Sequence, residues 1–136
     1  MVKTLDDRLR REFRLPGEDE IYLDSLGFPW ETIKNNGSLW LLINEHTVSN
    51  RYTADRTTVA IRIEGGYPPG QLDMVYFCPA LLRKDGKAIR ASSDHMIEGK
   101  TFQRWSRHYK WQDGSDTLIT HHLRIKEWIN DELARG

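Results

Sequence analysis

The chain contains one cysteine, Cys78, among its 136 residues. A single thiol excludes an intramolecular disulfide and any multi-cysteine zinc site, and leaves only a lone nucleophile to consider. No apolar run approaches the roughly 20 residues that span a bilayer. The opening MVKTLDDRLRREF carries acids and lacks the apolar centre of a secretory signal, so the expectation is a cytoplasmic protein with no membrane partner. Charge of one sign is also missing: 20 Lys+Arg balance 20 Asp+Glu, which removes any chain-wide pull toward nucleic acid. There is no glycine-rich phosphate loop, since Gly65-Gly66 runs into Pro68-Pro69 and not into a helix, and no cofactor is expected. The five histidines lack metal-ligand spacing. His46, His95 and His108 are isolated, and neighbours His121 and His122 on a helix point about 100° apart.

What is present reads as one domain over 1–136, with an apolar fraction of 38% and a charged fraction of 29% that suit a packed core. Leu5, Leu9 and Phe13 repeat every four residues and predict a first helix over Thr4 to Arg14, stopped by Pro16-Gly17. Arg8, Arg10, Arg11 and Arg14 then form either a solvated surface or, less simply, a docking face. Glu18 to Trp30 reads as irregular. Glu31 to Asn35 and Ser38 to Val48 flank Asn36-Gly37, a two-residue hairpin signal. Leu39, Leu41 and Ile43 alternate with Trp40 and Leu42, which predicts a central strand covered on both faces. Val59, Ile61 and Ile63 alternate similarly, Met74 to Cys78 supplies a fourth strand, and Gly65-Gly66-Tyr67-Pro68-Pro69-Gly70 is the stiff loop between them. Arg83 to Lys100 has no periodicity and reads as a long functional loop. Thr101 to Trp111 interleaves aromatics with cations; the neutral chain favours a segment folded over the sheet edge, with Phe102 and Trp105 inward, above a base-stacking surface. The last helix is the clearest, capped by Ser115 or Asp116, with Leu118, His122, Ile125, Ile129 and Leu133 as its apolar stripe and Trp128 beside it.

Few groups can act as nucleophiles. Cys78 ends an apolar strand, where cysteine is usually an inert small hydrophobe. Ser106 and His108 lie two residues apart with Thr101 nearby, so a hydroxyl activated by an imidazole is chemically available there. Their proximity in sequence does not by itself place them together.

The element order resembles the ubiquitin-conjugating (UBC) superfamily, and within it the bacterial E2-like proteins of family E. The residues that carry the likeness are Gly66-Tyr67-Pro68, Gln71-Leu72-Asp73-Met74, Tyr76-Phe77, Pro79, Leu81, Asp85-Gly86-Lys87, and Gly99 to His108 with Trp111. The resemblance implies an α+β UBC-like fold: an N-terminal helix, a four-stranded antiparallel meander, a long crossover segment and a C-terminal helix. It implies as partners a ubiquitin-like protein and an E1-like activating enzyme, with no cofactor, metal, nucleic acid or membrane. Two departures matter. Cys78-Pro79-Ala80 occupies the place of the superfamily's His-Pro-Asn triplet, and the place of its catalytic cysteine falls on Phe102 or Gln103, neither a nucleophile. Transfer through a hydroxyl ester on Thr101 or Ser106 with His108 as base, positioning of the modifier with no covalent step, and use of Cys78 after a loop rearrangement all stay open.

Overall fold

A computed structural model describes residues 9–68 and 70–135. Helix α1 spans Gly17–Ser25, and six strands follow: β1 Trp30–Asn35, β2 Ser38–Thr47, β3 Arg56–Ile63, β4 Val75–Cys78, β5 Ser92–Ile97 and β6 Lys100–Trp105. Helix α2, Leu118–Ala134, ends the chain. The strands form one antiparallel sheet in the order β1-β2-β3-β4-β6-β5, so the sheet has two strands more than the expected meander.

Local chemistry explains most of these elements. Asn36 and Gly37 both have positive φ, 49° and 77°, as a type I′ turn between β1 and β2 requires. Glu98 and Gly99 repeat the device at 53° and 76° and join β5 to β6. In β2 the register slips between Ile43 and His46, with Glu45 at φ 55°. This bulge inserts one residue, so His46 and not Glu45 turns toward the helix side. Thr117, one residue beyond the expected caps, closes a reciprocal capping box with Thr120 at the start of α2.

The first helix is corrected. Residues 9–14 are not helical; Arg10 and Glu12 exchange backbone hydrogen bonds with Thr32 and run beside β1. The rest of the predicted helix, residues 4–8, lies outside the described residues. Helix α1 instead occupies the stretch read as irregular, with Glu18, Asp19 and Glu20 in its first turn, where acids favour the positive end of the dipole. The arginines of that stretch are engaged. Arg10 pairs with Glu31 and Glu98, Arg11 lies over the Trp30 ring, and Arg14 pairs with Glu20.

The sheet buries both faces. Leu41, Ile43, Val59, Ile61, Val75, Phe77 and Trp105 pack on α2 through Leu118, Ile125, Ile129 and Leu133, the stripe that periodicity predicted. The opposite face gathers Ile33, Trp40, Leu42, Ala60, Tyr76, Ile97 and Phe102. The sheet curls to cover this second cluster: Glu98, at the β5–β6 turn, takes the Arg10 guanidinium at 2.6 Å and donates its N–H to Asn35 Oδ1 at 3.2 Å. Two loop expectations therefore change. A third of the stretch read as a long loop is β5, and the start of the stretch read as an edge cover is β6, inserted between β4 and β5. Phe102 and Trp105 are both inward, on opposite faces.

Candidate functional site

The loop between β3 and β4 is a brace. Gly70 donates its N–H to Gly66 O at 2.6 Å, and a side chain at Gly70 would meet the Gly66 carbonyl carbon at 2.7 Å, so only glycine closes this turn. The Tyr67 hydroxyl donates to Asp19 Oδ2 at 2.6 Å and accepts the Leu118 N–H at 2.6 Å. It ties α1 to the first turn of α2. Burial raises the Tyr67 phenol, and raises the Asp19 carboxyl against the lowering effect of the Tyr67 bond.

Buried Leu72 anchors the loop exit, and Asp73 follows it. Its Oδ1 accepts the Met74 N–H at 3.0 Å and its Oδ2 accepts His108 Nδ1–H at 2.8 Å. A carboxylate oxygen only accepts, so His108 Nδ1 carries the proton of this bond. Its Nε2 has no partner among the described residues, and the side chain is 67% exposed. That is the arrangement of an oriented general base: one ring nitrogen fixed by an acid, the other open to a substrate.

The neighbours of His108 are also fixed. Ser106 donates its N–H to Ala91 O at 3.0 Å, and Arg107 reaches Glu132 Oε1 at 3.0 Å and Arg90 O at 2.9 Å. Glu132 is fully buried and also meets Arg135 Nη2 and the Arg90 N–H; burial works against its charge, but these bonds hold its carboxyl below the usual range. Behind the pair, His121 donates Nε2–H to Met74 O at 2.9 Å and accepts the Tyr109 hydroxyl on Nδ1 at 2.8 Å. Burial pushes His121 down to about 4, so it is neutral and structural at neutral pH. Met74 holds φ at 57°, which turns its carbonyl toward His121 just after Asp73 has turned toward His108.

The structure separates the candidates that sequence grouped. Ser106 and His108 share one short connection, although their side chains make no mutual hydrogen bond. Thr101 sits at the far end of β6, exposed, with its hydroxyl on Met96 Sδ at 3.2 Å. Five residues of strand put it on the order of 17 Å from Ser106 along the chain. Phe102 and Gln103 are both buried in β6. The Gln103 amide accepts the Leu81 N–H at 2.9 Å and the Trp105 indole N–H at 2.9 Å, and donates to Leu81 O at 3.2 Å. Cys78 is half-buried beside the outer apolar cluster and lines a cavity of about 90 Å³ with Arg10, Glu31, Asn44, Thr58 and Lys100.

A second imidazole pair was invisible in the sequence. His122 Nε2 and His46 Nε2 lie 2.9 Å apart, His46 Nδ1 donates to Thr47 O, and His122 Nδ1 accepts the Tyr22 hydroxyl at 2.6 Å. Every ring nitrogen is therefore used within the fold. Burial, with each ring near other cations, lowers both, His122 to about 3. Among the described residues no group of three or more metal-ligating side chains forms, and no helix is long and apolar enough to cross a membrane.

An α+β domain with an antiparallel sheet backed by a C-terminal helix, and an oriented histidine at the loops beside that helix, defines the class. Residues 15–132 match the family described as prokaryotic E2 family E, and the chain belongs to that family. Comparisons with curated proteins and with solved structures return no match.

Proposed function

We propose that this chain is an E2-like component of a bacterial ubiquitin-like conjugation pathway, working as a single domain that receives a ubiquitin-like modifier from an E1-like activating enzyme. The observation that carries the reading is the His108–Asp73 pair, with Nε2 open to solvent, two residues along the chain from the Ser106 hydroxyl. In this reading Ser106 Oγ attacks the activated C-terminal carbonyl of the modifier, His108 Nε2 takes the hydroxyl proton, Asp73 stabilises the resulting imidazolium, and the thiolate of the activating enzyme leaves. Thr101 lies at the far end of β6 from that base, and the place that the superfamily resemblance gives a catalytic thiol falls on Phe102 or Gln103, both buried.

A second reading rests on the missing hydrogen bond between Ser106 and His108: the protein holds the modifier while a nucleophile elsewhere reacts. Incubation with modifier, activating enzyme and ATP separates the two. The ester reading predicts a covalent adduct released by hydroxylamine, abolished in Ser106→Ala and slowed in His108→Ala. A non-covalent complex that survives the combined Cys78→Ala, Thr101→Ala and Ser106→Ala changes, with pathway activity intact, establishes the scaffold instead.

A further inference from the structure

The two edges of the sheet are treated differently. In a two-residue hairpin the residues flanking the turn exchange both hydrogen bonds, so on β1 the outward backbone groups belong to Trp30, Thr32 and Lys34. These are covered. Thr32 N–H reaches Arg10 O at 3.0 Å, Thr32 O takes the Glu12 N–H at 2.9 Å, Lys34 N–H reaches Glu12 Oε1 at 2.7 Å, and Trp30 O takes the Arg11 guanidinium.

On β5 the same counting, from Ile97 opposite Lys100, turns the N–H and C=O groups of Ser92, Asp94 and Met96 outward. The Ser106 N–H bond to Ala91 O, one pair further on, agrees with that phase. None of those backbone groups has a protein partner among the described residues, and all three residues are exposed. An open edge of this length is a template for another strand.

The side chains narrow the guest. Asp94 and Met96 share a face, Asp94 makes no ion pair among the described residues, and Met96 is 55% exposed beside Thr101. The structure assigns the free edge of β5 as a strand-addition site for an extended partner segment carrying an apolar side chain two residues before a basic one. Running antiparallel, like every pairing in this sheet, such a segment sets its apolar side chain against Met96 and its cation against Asp94. A second copy fits less well, because twofold pairing centred on the outward row puts Asp94 opposite Asp94. This inference stands apart from the transfer chemistry at His108.

The test uses the full-length protein and a short capped peptide of threonines with leucine two positions before arginine. Titration followed by amide exchange is expected to slow Ser92, Asp94 and Met96 selectively. Asp94→Pro removes an outward N–H and no bond within the sheet, and is expected to weaken binding about fivefold or more. Asp94→Lys keeps the amide; it is expected to lose the arginine peptide and to bind one with glutamate in that place. Unchanged binding by Asp94→Pro, binding that leaves the three amides exchanging freely, or no binding at millimolar peptide overturns the assignment. So does concentration-dependent protection of those amides in the free protein, which would give the edge to a second copy.

Discussion

Replacing Gln103 with methionine tests whether β6 holds a structural amide where the superfamily resemblance puts a nucleophile. Gln103 sits in β6 with its amide joined to Leu81 N, Leu81 O and Trp105 Nε1, all in residues that are buried. Methionine has nearly the same length and none of the polar atoms. The change orphans two buried donors and one acceptor, and each costs about 1–3 kcal/mol. Burying a thioether in place of an amide returns part of that, so a net loss of about 3 kcal/mol is expected. For a domain of this size that is a large share of a typical 5–15 kcal/mol, and on the order of 10 °C in melting temperature. Urea unfolding of the variant, beside Thr101→Ala as an exposed control on the same strand, measures it. A loss under about 1 kcal/mol would refute the reasoning, because the Leu81 and Trp105 donors would then have found other partners.

Other consequences follow from the same contacts. Tyr67→Phe strips buried Asp19 and the Leu118 N–H of their shared partner and is expected to cost about 2–3 kcal/mol by thermal unfolding. His121 and His122 are held neutral, near 4 and 3, so the unfolded chain gains their protons first as pH falls below the ordinary histidine value. Stability is then full above about pH 6.5 and drops by about 2 kcal/mol per ring by pH 5. Glu31 and Glu132, held below the usual carboxylate range despite burial, stay ionised in that window. A flat urea midpoint from pH 7 to pH 5 would contradict the buried placement of both rings. Asp73→Asn leaves His108 with a neutral acceptor and is expected to lower adduct formation at least about tenfold while leaving the fold intact by circular dichroism.

Much of the scaffold was legible because its signals are local. Asn36-Gly37 with alternating residues on either side marks β1 and β2, and the stripe from Leu118 to Leu133 marks α2. Over residues 9–14 the helix reading failed because the spacing of Leu9 and Phe13 mimics a helical face, whereas the backbone at Arg10 and Glu12 is needed to cover the edge of β1. Strand β5 escaped notice because Ser92, Ser93, Asp94 and Met96 are exposed, so no apolar alternation betrays it. Glu98-Gly99 was the available turn signal. The candidate site was half legible: His108 stood out beside Ser106, but Asp73 lies 35 residues away and nothing local links them. The His46–His122 contact depends on a bulge and on a separation of 76 residues, neither of which leaves a periodic trace.

Intact-mass analysis of this protein after incubation with its ubiquitin-like modifier, E1-like enzyme and ATP bears most directly on the proposed role. The account predicts one modifier added, through a bond that hydroxylamine cleaves, in the wild type and in Cys78→Ala and Thr101→Ala, with the adduct absent from Ser106→Ala. An adduct that persists in Ser106→Ala, or one lost in Cys78→Ala, would contradict it.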